Sequence, residues 1–140
     1  MVYTNNRIVS IVEDDQSNVL FFHKVLKGFS GITIFTFTDP FLALEHFQEY
    51  DYAYVLVIAD FKMRGLDGME FLKNIKDSNL LVRTILITAA FRFDNTRFQE
   101  YTKKKIINGF IQKPIGLHDF LKEVDTQLQL YEAQKRYPLD

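Results

Sequence analysis

Short runs rich in apolar and β-branched residues alternate along this chain with longer segments whose apolar positions recur every three or four residues. Residues 7–13 (RIVSIVE) form the first run, the pattern of a strand buried on both faces. Asp15 or Ser17 can cap the helix that follows, in which Val19, Phe22, Leu26 and Phe29 fall at helical spacing. Gly28 and Gly31 interrupt the chain before a second strand over 32–37 (ITIFTF). Asp39-Pro40 then supplies a helix start, with the aspartate as N-cap and the proline in the first turn, and this helix runs to about Gln48.

The third strand, 54–59 (YVLVIA), stops at Asp60 and is followed by the loop FKMRGLDG and a helix carrying Met69, Leu72 and Ile75. A fourth strand lies at 84–88 (TILIT), a weaker helical pattern at 94–105, and a fifth strand at 107–111. After Lys113-Pro114 a last helix spans 117–136, with Leu117, Phe120, Leu121, Val124, Leu128 and Tyr131 on one face, and Pro138 ends it. Five strands alternating with five helices predict an α/β fold, a doubly wound parallel sheet with helices on both faces.

Composition narrows the function classes. With 140 residues the chain is expected to form one domain, its core over about residues 6–128 and a helical extension over about 129–140. Apolar residues make up 47% of it and fourteen are Phe, enough for a packed core and against disorder. A net charge of −1 with interspersed signs argues against a nucleic-acid surface. The absence of cysteine excludes disulfides and thiolate metal sites. No apolar run is long enough for a membrane span, and the first residues do not read as a signal peptide, so a cytoplasmic protein is expected.

The candidate chemistry sits at the carboxyl ends of the strands, where open parallel sheets bind their ligands. Strand one ends in Glu13-Asp14-Asp15, strand three in Asp60, strand four in Thr88 and strand five in Lys113. Each residue alone has a plain structural explanation. Asp15 can be only a helix cap, Asp67-Gly68 a turn, and Lys113-Pro114 a loop. Together they place three aspartates, a hydroxyl and an ammonium at one edge of the sheet. Clustered carboxylates repel unless a cation neutralises them, and oxygen ligands without Cys or clustered His suit Mg²⁺. His23, His46 and His118 share no metal-ligand spacing and read as surface or packing residues.

Along its whole length the chain resembles a two-component response regulator receiver domain, chemotaxis-regulator-like with a flavodoxin-like fold. The resemblance is carried by Asp14-Asp15, by Asp60 with DFKMRGLDG, by Thr88 in ITAA and by Lys113-Pro114. It implies the strand order 2-1-3-4-5. It also implies that Asp60 accepts a phosphoryl group from a sensor histidine kinase or phosphotransfer protein. Asp15 and Asp60 would ligate Mg²⁺ directly with the Lys62 carbonyl, and Asp14 through water. Lys113, before a cis proline, would pair with a phosphoryl oxygen. Thr88 would bond the phosphoryl group, and Phe110 would be the aromatic that moves with it. A downstream protein would be met on the face of helix four, strand five and helix five.

Departures qualify this expectation. Met63-Arg64 stands where the family carries Met-Pro, which predicts a looser turn or one that takes another path, with phosphorylation retained. Lys62 has no carboxamide to orient attacking water, which predicts slow loss of the phosphoryl group. The aromatic segment 91–101 (FRFDNTRFQEY) fits core packing or a partner surface, and Lys103-Lys104-Lys105 fits a solvated helix end. The polar end of the last helix fits a solvated terminus, a linker stub or a homodimer contact. A phosphatase would need a second acid where Lys62 stands, and a flavodoxin would need a phosphate loop where the acidic residues stand. No turnover of an external substrate is therefore expected. The alternative of another class is a phosphorylation-independent pseudo-receiver acting as a protein-binding module.

Overall fold

The computed structural model describes residues 7–89 and 95–136, and within them an α/β sandwich. In chain order the elements are β1 (Ile8–Val12), α1 (Gln16–Leu26), β2 (Thr33–Phe37), α2 (Pro40–Tyr50), a short 3₁₀ turn (Asp51–Ala53), β3 (Tyr54–Asp60), α3 (Gly68–Ser78), β4 (Arg83–Thr88), α4 (Thr96–Lys103), β5 (Gly109–Gln112) and α5 (Leu117–Arg136). The sheet is parallel throughout, in the order β2-β1-β3-β4-β5. This is the predicted topology. Boundaries moved by a few residues: α2 continues to Tyr50, β3 includes Asp60, and α4 begins at Thr96 behind an Asn95 cap whose side chain accepts from the Phe98 N–H.

Strands buried on both faces divide the core into two layers. One face of the sheet packs against α2, α3 and α4 through Ala43, Phe47, Phe71, Leu72, Ile75, Phe98 and Tyr101, meeting Val57, Ala59 and Leu86. The other packs against α1 and α5 through Phe22, Leu26, Phe120 and Val124, meeting Ile11, Ile58, Ile85 and Ile87. The alternation of strand side chains produces this split. Phe22 and Phe120 stack at 5.1 Å between ring centroids and tie α1 to α5. Of the aromatic segment, Phe98 and Tyr101 are core residues, while 91–94 lie outside the described residues. His46 packs among Phe35, Tyr50 and Tyr54 and bonds the Tyr54 hydroxyl through Nδ1 at 2.6 Å.

The last helix differs from its pattern in two ways. Leu117 is half exposed, opening on a groove against Phe21 and Val25 of α1, while the polar Gln127 is buried. Gln127 accepts from Arg83 Nε at 2.8 Å and donates to Glu123 at 2.8 Å. Arg83 also reaches Gln134 at 2.6 Å, the Gln134 amide bonds the Leu81 carbonyl at 3.0 Å, and Arg7 pairs with Glu132. The polar end of α5 is thus bonded to the amino ends of β1 and β4. Gln127→Ala should lower stability by about 1–2 kcal/mol, because it strips a half-buried guanidinium of a partner. Urea unfolding should show a lower midpoint at unchanged slope, and an unchanged midpoint would assign no weight to this network.

Candidate functional site

Because β1, β3 and β4 are adjacent and parallel, their carboxyl ends share one edge. Asp60 closes β3 opposite Ile87 of β4 and is 5% exposed. Val12 of β1 pairs with Ala59, so Glu13 lies level with Asp60; it is 1% exposed, and its N–H still bonds the Phe37 carbonyl at 3.0 Å. Lys113, just past β5, places Nζ 3.2 Å from Asp60 Oδ1 and 3.3 Å from Glu13 Oε1. Asn18 of α1 donates to the same Glu13 oxygen at 3.1 Å. Glu13, Asp14 and Asp60 each bring a carboxylate oxygen within 4.8 Å of the others.

Asp15, expected among these acids, lies apart from them. It is the N-cap of α1: its Oδ1 accepts from the Ser17 hydroxyl at 2.7 Å and the Ser17 N–H at 2.9 Å, and these two bonds hold its pKa below the ordinary carboxylate value. The acid that joins Asp14 is Glu13. Sequence reasoning passed over it because a glutamate ending an apolar run reads as the strand's last residue. Its signal was the count: it is the first position past a wholly buried five-residue strand.

Three close carboxylates against one ammonium leave the site short of positive charge. Asp60 shows this, its pKa pushed up to about 6 by burial and then by the charge and hydrogen bond of Glu13, against the pull of Lys113. Burial draws the Lys113 ammonium down, but Asp60 and Glu13 outweigh it and its pKa lies above the usual lysine value. A donor set of carboxylate oxygens alone fits a hard divalent cation such as Mg²⁺.

The loop after Asp60 is pinned despite its missing proline. The Phe61 N–H bonds the Ile87 carbonyl at 2.7 Å and the Gly68 N–H bonds the Phe61 carbonyl at 2.8 Å. Any side chain at Gly68 would collide with the Asp60 carbonyl and lie 2.9 Å from Leu86. Gly65 makes the turn at φ +85°, and Met63 and Leu66 pack on the core. Lys62 is exposed, and Asp67 caps α3 by accepting from the Glu70 N–H at 3.0 Å.

Thr88 is buried at the end of β4, and its carbonyl accepts from the Lys113 N–H at 2.9 Å; the Lys113-Pro114 bond is cis. Thr88 pairs with Gln112 and Leu86 with Phe110, so Thr88 and Phe110 share the sheet face on which α4 packs. Phe110 is 40% exposed and meets Phe98 of α4 edge-on at 5.5 Å.

Comparisons with known proteins agree with this geometry. Residues 9–125 match the family model described as response regulator receiver domain. Ethylene receptor 2 of Oryza sativa subsp. japonica is 29% identical over 127 residues, covering 89% of this chain and 16% of the receptor. The DNA-binding transcriptional regulator NtrC of Escherichia coli is 26% identical over 129 residues, covering 92% of this chain and 26% of the regulator. The chain thus spans between a sixth and about a quarter of the length of these curated relatives.

The signal receiver domain of an HD domain-containing protein from Pseudomonas fluorescens superposes with a TM-score of 0.81 at 17% identity, covering 98% of this chain and 97% of the other. A response regulator receiver domain protein from Clostridium thermocellum superposes with a TM-score of 0.79 at 20% identity, covering 91% and 98%. These two likenesses concern the fold, whereas the family match spans the sequence from β1 into α5 and takes in Asp14, Asp60, Thr88 and Lys113. The chain belongs to the response regulator receiver domains.

Proposed function

We propose that this receiver domain takes a phosphoryl group on Asp60 from the phosphohistidine of a sensor kinase or phosphotransfer protein and signals through the face built from α4, β5 and α5. The observation that carries the reading is the Lys113 ammonium, within 3.3 Å of both Asp60 and Glu13 at the buried edge of the sheet. An Asp60 oxygen attacks phosphorus, the phosphorus–nitrogen bond breaks, and the histidine leaves with the electron pair and takes up a proton. Bound Mg²⁺, held by Asp14, Asp60 and the Lys62 carbonyl, would supply charge neutralisation to that transfer.

Lys113 places a fixed positive charge where the phosphoryl oxygens come to lie, and Glu13 with Asn18 holds it there. The Thr88 hydroxyl donates to the new oxygens, and Phe110 follows it on the same face. Phe110 also lines a shallow groove with Gln112, Asp119 and Glu123, which suits this face to a partner protein. The setting for this chemistry is the cytoplasm. A binding module indifferent to phosphorylation would have no use for a desolvated acid cluster that costs stability, which favours the phosphoacceptor reading.

Intact-protein mass after incubation with acetyl phosphate and Mg²⁺ tests the assignment. Wild type should gain one phosphoryl group, and the gain should vanish without the metal and in Asp60→Ala; a folded wild type that gains nothing with metal present removes the reading. Lys62→Asn should shorten the half-life of that phosphoryl group several-fold, and an equal or longer half-life would reject the role given to Lys62.

The charge shortage also predicts a pH dependence. Because the folded-state pKa of Asp60 stands at about 6, above the ordinary aspartate value of 3.8, the metal-free fold holds the extra proton between those values. That stability is fully present below about pH 4 and lost as pH rises through about 6. Asp60→Asn should therefore stabilise the metal-free protein at pH 7 by on the order of 1–3 kcal/mol, with the advantage shrinking at pH 4. Mg²⁺ should raise the melting temperature of wild type more than that of the variant. Thermal unfolding at both pH values checks this, and a variant less stable than wild type at pH 7 would contradict it.

A further inference from the structure

Helix α4 is fastened on two sides. Toward α3, Arg97 places Nη2 3.0 Å from Asp67 Oδ2 and Nη1 3.3 Å from Glu70 Oε2, with its guanidinium 5.9 Å from the centre of the Phe61 ring. Tyr101, one turn on, donates its hydroxyl to the same Glu70 oxygen at 2.6 Å, and that bond pushes its pKa up to about 12. Toward β5, Phe98 meets Phe110. The partners of Arg97 and Tyr101 all belong to the segment that leaves Asp60. Phe61 is the next residue, Asp67 caps α3, and Glu70 stands in its first turn.

We propose that Arg97, together with Tyr101, forms a latch that holds α4 against the loop following Asp60 and opposes the switched arrangement of the domain. The inference rests on the receiver reading above and adds to it a second connection between Asp60 and α4, separate from Thr88 and Phe110. A lone ion pair between side chains a third exposed would contribute little. Here one guanidinium engages two carboxylates and lies near a ring, and one of those carboxylates is shared with a largely buried tyrosine. Such groups act as a network.

The loop follows Asp60 directly in the chain, is tied to the end of β4 by the Phe61 N–H on the Ile87 carbonyl, and closes on itself through the Gly68 N–H on the Phe61 carbonyl. A displacement of α4 away from α3 breaks the fork of Arg97, and a displacement of the loop drags Asp67 and Phe61 from under it. Contacts made in the resting arrangement and lost in the switched one bias the equilibrium toward rest. By linkage they weaken the binding of any group that favours the switched state.

The test uses beryllofluoride with Mg²⁺ as a phosphoryl mimic, titrated into the ¹⁵N-labelled protein and followed by the amide signals of Phe61 and Gly68. Hydrogen exchange of the α4 amides is measured alongside. Arg97→Met keeps an apolar stem over Phe61 and removes the fork, while Tyr101→Phe removes only the hydroxyl. Arg97→Met should speed α4 exchange and lower the half-saturating beryllofluoride concentration about three- to tenfold, and Tyr101→Phe about twofold. The double variant should change less than the product of the two single effects.

Half-saturation unchanged or raised in a folded Arg97→Met, with wild type binding normally, would falsify the latch and leave the receiver reading standing. Should Arg97→Met not fold, Tyr101→Phe decides by the same criterion. A folded wild type that takes up neither beryllofluoride nor a phosphoryl group overturns the reading and the latch with it.

Discussion

The constraint on which the rest of this structure depends is the placement of two buried carboxylates, Glu13 and Asp60, against one ammonium, with the exposed Asp14 beside them at the edge of the sheet. Glu13, Asp14 and Asp60 converge because their strands are adjacent and parallel, and Lys113 enters from β5 on the far side of β4. Desolvation and mutual repulsion lift Asp60, so the site is a destabilised region set into an otherwise apolar sheet. The two core layers carry the stability that it lacks. Every strand residue between Ile8 and Val12 and between Tyr54 and Asp60 is buried, and that packing fixes the strand ends closely enough for 3 Å contacts to form across β1, β3 and β5.

Much of this was legible in the chain. The fold followed from alternating β-branched runs and helical periodicity, because burial on both faces leaves a strong pattern. Asp14, Asp60, Thr88 and Lys113 were legible as residues of one edge because each follows the end of a strand, and the structure brings them there. The register of the first acids was not. Adjacent aspartates at 14 and 15 look equivalent in sequence, and only the point at which the backbone turns from β1 into α1 decides which faces Asp60 and which caps the helix. Gln127 and Arg97 were hidden for another reason. Their partners lie 44 and about 30 residues away, at distances that no local pattern encodes.

The loop between Asp60 and α3 shows how one departure from a family pattern can be absorbed. A proline would restrict the backbone there by fixing φ. In its place the chain has a glycine turn at Gly65, apolar anchors at Met63 and Leu66, and the close approach of Gly68 to the Asp60 carbonyl. The restriction arises from packing and hydrogen bonding instead of from covalent geometry. Packing of this kind can be undone and remade when the neighbouring charge changes, whereas a ring constraint persists in both states.

This difference bears on why the loop is also bonded to α4. A loop held by a proline is positioned whatever α4 does, while one held partly by Arg97 shares its position with the helix. Asp67 serves two structures at once, capping α3 with one oxygen and pairing with Arg97 through the other. Glu70 likewise accepts from Arg97 and Tyr101 through a single oxygen. These carboxylates thus join α4 to α3 and to the loop that follows Asp60, while Phe98 joins α4 to β5. The acid site and α4 are held by different kinds of contact. Packing fixes the strand ends, whereas the contacts of Arg97 are a third exposed and individually weak, so they are the more readily exchanged of the two.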